Sequence, residues 1–113
     1  MPEHVPPRAL VALMALFLGG MAACALVFWF AALVWPDGIA GLMAYLGPGP
    51  VSLFGALHVL AAVTGILLWQ WRRTSLRPVA RVALEAATLY FGLAVVLGLI
   101  SAYMAASLLD RLI

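Results

Sequence analysis

Three long apolar stretches, separated by short turn-rich or polar segments, dominate the pattern along the chain. They cover residues 9–35, 51–71 and 82–109. A helix needs about 20 mainly apolar residues to cross the hydrocarbon core of a bilayer. Pro78 suits the first turn of a helix, where its missing N–H has no consequence. The pattern therefore predicts three transmembrane helices, of which the third covers 78–109.

The segment between the first two stretches contains strong turn signals. Pro36-Asp37-Gly38 begins this segment and Gly47-Pro48-Gly49-Pro50 ends it. The apolar residues between them, 39–46, are too few to span a bilayer. We therefore predict a short helix or turn there that lies on the membrane surface.

Composition points to the same class of protein. Hydrophobic residues make up 67% of the 113 positions and charged residues 9%, whereas soluble domains are about half apolar and a quarter charged. We expect an all-α integral membrane protein with a single three-helix domain over residues 1–113. The predicted location is the bacterial inner membrane, which the chain crosses several times.

The distribution of arginines predicts the orientation. With the N-terminus inside the cell, the cytoplasmic side carries Arg8 and four arginines of the second connection, and the outer side carries only Arg111. Basic residues are enriched on the cytoplasmic side of membrane proteins. We therefore expect a cytoplasmic N-terminus and an external C-terminus. The four arginines that we interpret as determinants of topology and contacts for lipid headgroups are Arg72, Arg73, Arg77 and Arg81.

Small residues recur at intervals of about four along each stretch. In lipid, such rows let helix backbones approach each other and gain van der Waals contact. These surfaces can pack within the three-helix bundle or against other chains, and we expect at least the row on the third helix to contact another membrane subunit. The residues predicted to form packing interfaces are Gly19, Ala23, Gly55, Ala61, Gly65, Ala94, Gly98, Ala102 and Ala106.

His58 is a polar residue in the middle of the second stretch, roughly 10 Å along the helix from Val51. An unsatisfied polar group in hydrocarbon costs several kcal/mol, so we expect the imidazole to face a neighbour. A hydrogen bond to the third helix is one solution, because Ser101 and Tyr103 are expected at a similar depth. Ligation of a haem or chlorin is the other.

Two resemblances bear on the cofactor alternative. The size and the three-helix layout with an internal N-terminus are similar to the small anchor subunits of succinate dehydrogenase and fumarate reductase, and this resemblance implies a quinone and, in many cases, a haem b. His58 followed eleven residues later by Trp69 resembles light-harvesting helices and implies a chlorin. The other histidine, His4, is predicted on the opposite side of the bilayer. A cofactor would therefore be shared with another subunit, and we expect none bound by this chain alone.

Other chemistry is sparse in the sequence. Glu85 follows Arg81 by four residues, which predicts an ion pair along one helix face. A single cysteine cannot build a cysteine-based metal site within one chain. The sequence contains no catalytic constellation, phosphate-binding loop, acidic metal cluster or basic aromatic surface for nucleic acid. We therefore do not expect an enzyme, a metal-binding protein or a nucleic-acid-binding protein.

These observations favour a protein whose role is contact with other proteins. We expect a non-catalytic accessory or anchoring subunit of a larger inner-membrane complex, for which a respiratory or photosynthetic energy-converting complex is one candidate. Its expected partners are other membrane subunits and lipids. One alternative is an electron-transfer anchor that ligates haem or a pigment through His58. A second alternative is a small oligomeric transporter or channel.

Overall fold

The computed structural model describes residues 7–72 and 74–113, and these residues form four helices. No strand occurs in the described ranges. Three of the helices are long and apolar enough to cross a membrane, so the all-α class is confirmed and the three predicted spans correspond to three candidate membrane spans. The helices are α1 (Arg8–Val34), α2 (Gly38–Leu46), α3 (Pro48–Arg72) and α4 (Pro78–Leu112).

The start of α3 differs from the prediction. Pro48, Gly49 and Pro50 form its first turn rather than part of a loop, and Gly47, with a φ of 90°, is the one residue between α2 and α3. Proline is tolerated in a first helical turn because the N–H groups there have no intrahelical acceptor. At its other end, α4 continues beyond Leu109, the predicted limit, to Leu112.

The predicted short helix between the first two spans is confirmed as α2. Asp37 and Gly38 both adopt positive φ, 65° and 66°, and so turn the chain out of α1. Gly41 lies so close to the Pro36 carbonyl that a Cβ would collide with it. The short helix packs against α1 and α3. We call this end of the bundle the α2 end, and the end where residues 74–77 connect α3 to α4 the loop end.

The core of the bundle is centred on α3, which packs most extensively against α4 and then against α1. Ala61 of α3 and Phe91 of α4 are both fully buried. A Cβ on Gly65 would collide with the Thr88 hydroxyl, so the α3 backbone directly contacts an α4 side chain. That hydroxyl donates to the Leu84 carbonyl at 2.8 Å, and its hydrogen-bonding capacity is therefore satisfied inside the apolar interface.

Toward the α2 end the bundle is less well packed. At 1.5 Å per residue, the 35 residues of α4 extend about 52 Å and the 25 residues of α3 about 38 Å. Residues 96–112 of α4 are all exposed apart from the half-buried Ser107. This segment, residues 96–112, therefore extends beyond the packed core, and we call it the outer part of α4.

Candidate functional site

An open crevice with a volume of about 900 Å³ lies between α1, α3 and α4. It lies toward the α2 end, and α2 contributes Leu42 and Met43 to its wall. The lining is almost entirely apolar. Three lining side chains carry a hydrogen-bonding group on a ring, and they come from three helices. They are Trp29 of α1, His58 of α3 and Tyr90 of α4.

These three side chains form a continuous hydrogen-bonded series. The Trp29 indole Nε1 donates to Tyr90 Oη at 2.7 Å, and His58 Nε2 lies 3.2 Å from the same oxygen. The other ring nitrogen, His58 Nδ1, lies 2.8 Å from the carbonyl oxygen of Phe54. We call this series the Trp29–Tyr90–His58 chain, and it connects each of the three spans to the other two.

The groups at the two ends of the Trp29–Tyr90–His58 chain, the indole N–H and the Phe54 carbonyl, determine the direction of every hydrogen bond in it. An indole N–H only donates, and a backbone carbonyl only accepts. The tautomer of a neutral imidazole then follows from its two partners. His58 Nδ1 then carries the proton and donates to Phe54, and Nε2 accepts from the Tyr90 hydroxyl. Every N–H and O–H hydrogen of the three side chains is thus used.

Aromatic rings surround the imidazole and fix its position. Its centroid lies 4.5 Å from that of Phe54 and 5.2 Å from that of Phe91, both edge to face. Tyr90 is 5.8 Å away in a tilted arrangement. Such edge-on contacts between rings are favourable beyond the area they bury. His58 is therefore held by packing on several sides as well as by its two hydrogen bonds.

The structure gives His58 a bond to the third span, as expected, but the predicted partners are wrong. The partner is Tyr90, whereas Ser101 and Tyr103 are exposed, Tyr103 to 75%. The prediction estimated depth from the far end of the third helix, at Leu109. Because that end extends beyond α3, residues near it do not lie beside His58.

The predicted packing residues divide into three groups. Ala61 and Gly65 are buried within the bundle. Four more line the crevice, and three are exposed on the outside of the helices. Positions four apart on a helix rotate by about 40° per step at 3.6 residues per turn, so a row of four does not stay on one face. The crevice group is Ala23, Gly55, Ala94 and Gly98, and the exposed group is Gly19, Ala102 and Ala106.

At the loop end, Glu85 has a different partner from the predicted one. The Trp69 indole of α3 donates to Glu85 Oε2 at 2.9 Å. The predicted pair with Arg81 is not among the contacts of the described residues, although both side chains line a small pocket of about 280 Å³. A hydrogen bond between α3 and α4 thus takes the place of the predicted ion pair within α4.

Two further arginines lie near the same end. Arg72 is the last residue of α3, and Arg77 directly precedes α4. Arg73 and His4 lie outside the described residues. Within those residues, no three histidine, cysteine or acidic side chains come together as a metal site.

Comparison with protein-family models, curated proteins and solved structures found no match. The function therefore has to follow from the crevice, the Trp29–Tyr90–His58 chain and the exposed helix surfaces. Of these, the sequence indicated His58 and the small residues, and it missed Tyr90 and the role of Trp29.

Proposed function

We propose that the chain is a non-catalytic accessory subunit of a larger complex in the bacterial inner membrane, and that it binds its partner through the outer part of α4. The observation that carries this proposal is the exposure of residues 96–112. They belong to a helix long and apolar enough to span a membrane, and almost none of them is covered by other parts of the chain. Apolar exposure alone does not drive association in lipid, because lipid tails are equally apolar. A surface that favours a protein neighbour has to offer close packing.

Ala102 and Ala106 offer such a surface. Both are exposed, and they lie about 40° apart around the helix axis. Methyl-sized side chains on adjacent turns leave a shallow groove into which a second helix fits more closely than lipid tails do. This groove is separate from the crevice, which Ala94 and Gly98 line. The proposed partner is an apolar helix of another membrane subunit.

The proposed orientation places the loop end in the cytoplasm. Arg72, Arg77 and Arg81 all lie there, and Arg8 begins α1 on the same side of the bundle because α1 and α3 are consecutive spans. Arg111 lies at the opposite end of α4. This distribution supports a cytoplasmic N-terminus by the positive-inside rule.

Co-purification from native membranes in mild detergent tests the proposal. We expect wild-type protein to purify with a stoichiometric membrane partner, and Ala102→Leu or Ala106→Leu to lose it, because each leucine fills the groove. Ala86→Leu is the matched control, since Ala86 is an exposed alanine on roughly the opposite face of the same helix. A wild-type chain without a partner, or groove variants that retain it, would contradict the proposal.

A second candidate function, ligation of a haem or pigment through His58, is supported by one observation. The bond from Nδ1 to Phe54 leaves the lone pair of the imidazole on Nε2, and His58 lines the crevice. The metal would have to replace Tyr90, whose oxygen is 3.2 Å from Nε2. A Soret band in the purified assembly that disappears in His58→Ala supports this candidate, and an assembly without such absorbance rejects it. Transport remains a prediction that flux assays in liposomes test.

A further inference from the structure

The crevice has the size and shape of a ligand site. Its volume of about 900 Å³ falls within the usual range of small-molecule pockets, roughly 300–1,000 Å³. Its walls are apolar and belong mainly to the three candidate spans, so a ligand would reach it from the hydrocarbon phase. No charged residue lines it. The site therefore suits a neutral, membrane-soluble molecule.

The depth of the polar chain restricts the polar group of that molecule. His58 lies ten residues into α3, which is about 15 Å from the start of the helix at 1.5 Å per residue. A phosphate headgroup remains near the surface of a hydrocarbon core about 30 Å thick, because burying a charge costs far more than burying a hydroxyl. An ordinary phospholipid can therefore insert its tails into the crevice without bringing its headgroup to Tyr90.

The hydrogen-bond directions determine which polar group gains a bond there. All the donor hydrogens of Trp29, Tyr90 and His58 are already used. The phenolic oxygen of Tyr90 accepts from Trp29 and keeps a further lone pair, so it can accept once more. A ligand that donates a hydrogen bond can bond to this oxygen without breaking any existing hydrogen bond. A ligand that only accepts, such as a ketone, ester or ether, has to break an existing bond first.

Aromatic side chains of the wall indicate the body of the ligand. Phe28 lies 5.2 Å from Phe54 and 5.5 Å from Trp29, measured between ring centroids, and all three line the crevice. Rings of this kind offer edges and faces that stack favourably with another ring. An aromatic group that carries a hydroxyl matches both the wall and the free acceptor.

We infer that the crevice binds a lipid-phase phenol, a molecule with a hydrocarbon tail and an aromatic hydroxyl that donates a hydrogen bond to Tyr90 Oη. The hydrocarbon tail lies against the apolar side chains toward the α2 end. This site lies apart from the groove of Ala102 and Ala106, and it does not depend on the proposed role as a subunit. The free acceptor on Tyr90 is the feature that distinguishes the ligand from an acyl chain.

The test compares a long-chain alkylphenol with its methyl ether, which has the same body but no donor. Both probes carry bromine on the tail, and binding to the chain in lipid nanodiscs is followed by saturable quenching of tryptophan fluorescence, with concentrations expressed as mole fractions in the bilayer. We expect the phenol to bind about three- to tenfold more tightly than the ether, the factor that one net hydrogen bond provides.

Two variants and a control connect that difference to the crevice. Tyr90→Phe alone would leave His58 Nε2 as a free acceptor, so it is combined with His58→Leu, and this double variant should bind the two probes about equally. Gly98→Leu adds a side chain in a place where nothing lies within 4 Å of a built Cβ, and should weaken both probes by about tenfold or more because it fills the space they need. Ala86→Leu places a leucine side chain outside the crevice and should not change the binding of either probe.

Several results would overturn the inference. Equal binding of phenol and ether to the wild-type chain would show an apolar crevice that selects no hydroxyl. Absence of saturable binding, or unchanged binding to Gly98→Leu, would show that the crevice is not the site. The wild-type comparison and Gly98→Leu decide the matter even if the double variant does not fold. If the subunit proposal fails, the Ala102→Leu variant will keep its partner in co-purification, or the wild type will have none. Neither result affects the binding of the two probes.

Discussion

Gly65→Ala is the substitution whose effect follows most directly from the α3–α4 contact. The new Cβ would lie 3.1 Å from Thr88 Cβ and 3.3 Å from Thr88 Cγ2, and closer still to the Thr88 hydroxyl oxygen. Carbon atoms at optimal separation are about 3.5–4.0 Å apart. Either the two helices move apart, or Thr88 rotates and gives up its bond to the Leu84 carbonyl.

The expected effect is a net loss of stability of up to about 2 kcal/mol. Overpacking of this kind costs about 1–3 kcal/mol, and the higher helix propensity of alanine over glycine offsets up to about 1 kcal/mol of that cost. Gly55→Ala is the matched control, because it lies in the same helix and its new Cβ meets nothing within 4 Å. The propensity gain cancels between the two variants, so their difference in unfolding free energy should be about 1–3 kcal/mol.

Reversible unfolding by sodium dodecyl sulfate in mixed micelles measures this difference. The cause is tested by adding Thr88→Ala, which removes the two atoms of Thr88 beyond Cβ that the new methyl group meets. We expect Gly65→Ala to be less harmful in that background than in the wild type by at least about 1 kcal/mol. Equal stability of Gly65→Ala and Gly55→Ala would refute the close approach of α3 and α4.

Two further predictions concern the hydrogen-bonded chain and the orientation. Tyr90→Phe removes two interhelical bonds and should cost about 1–2 kcal/mol in the same assay, since such bonds in membranes contribute about 0.6 kcal/mol on average and up to about 1.7; Trp29→Phe should then cost little more in a Tyr90→Phe background, and additive losses would contradict a shared bond. In a Cys24→Ser background, Ser75→Cys should react with an impermeant thiol reagent from the cytoplasm and Ala40→Cys from outside. Labelling with the opposite sidedness would reverse the proposed orientation.

The spans and the short helix were predictable because their signals are local. Length and hydropathy decide whether a segment can cross a bilayer, and residues 38–46 are apolar between turn signals but too short to span it. The start of α3 was not predicted, because Pro48 and Pro50 indicate a turn and a first helical turn equally well. Only the backbone of the structure distinguishes these two uses of proline.

The register between α3 and α4 was predictable in principle and was missed. The two helices share the connection at residues 74–77, and depth is best counted from there. His58 lies fourteen residues before Arg72, and Tyr90 lies twelve residues after Pro78, so the two positions are at nearly the same level. Counting from the far end failed because α4 is the longer helix.

The rotation of each helix about its axis could not be obtained from the sequence. Trp29 fits an aromatic belt at the membrane surface as well as it fits a hydrogen bond inside the bundle. The rows of small residues likewise suggest contacts on several faces, and nothing in their spacing indicates that Ala61 and Gly65 pack inside while Ala102 remains exposed. These outcomes depend on side chains of other helices.

The position of the proton on the His58 ring tests the account most directly, because the Trp29–Tyr90–His58 chain requires it on one particular ring nitrogen. Nuclear magnetic resonance of the chain labelled with nitrogen-15 in histidine, assigned by the loss of signals in His58→Leu, distinguishes the two ring nitrogens. We expect the proton on Nδ1, and a hydrogen-bonded Nε2 whose resonance shifts in Tyr90→Phe. A proton on Nε2, or a ring whose resonances do not respond to Tyr90→Phe, would contradict the Trp29–Tyr90–His58 chain.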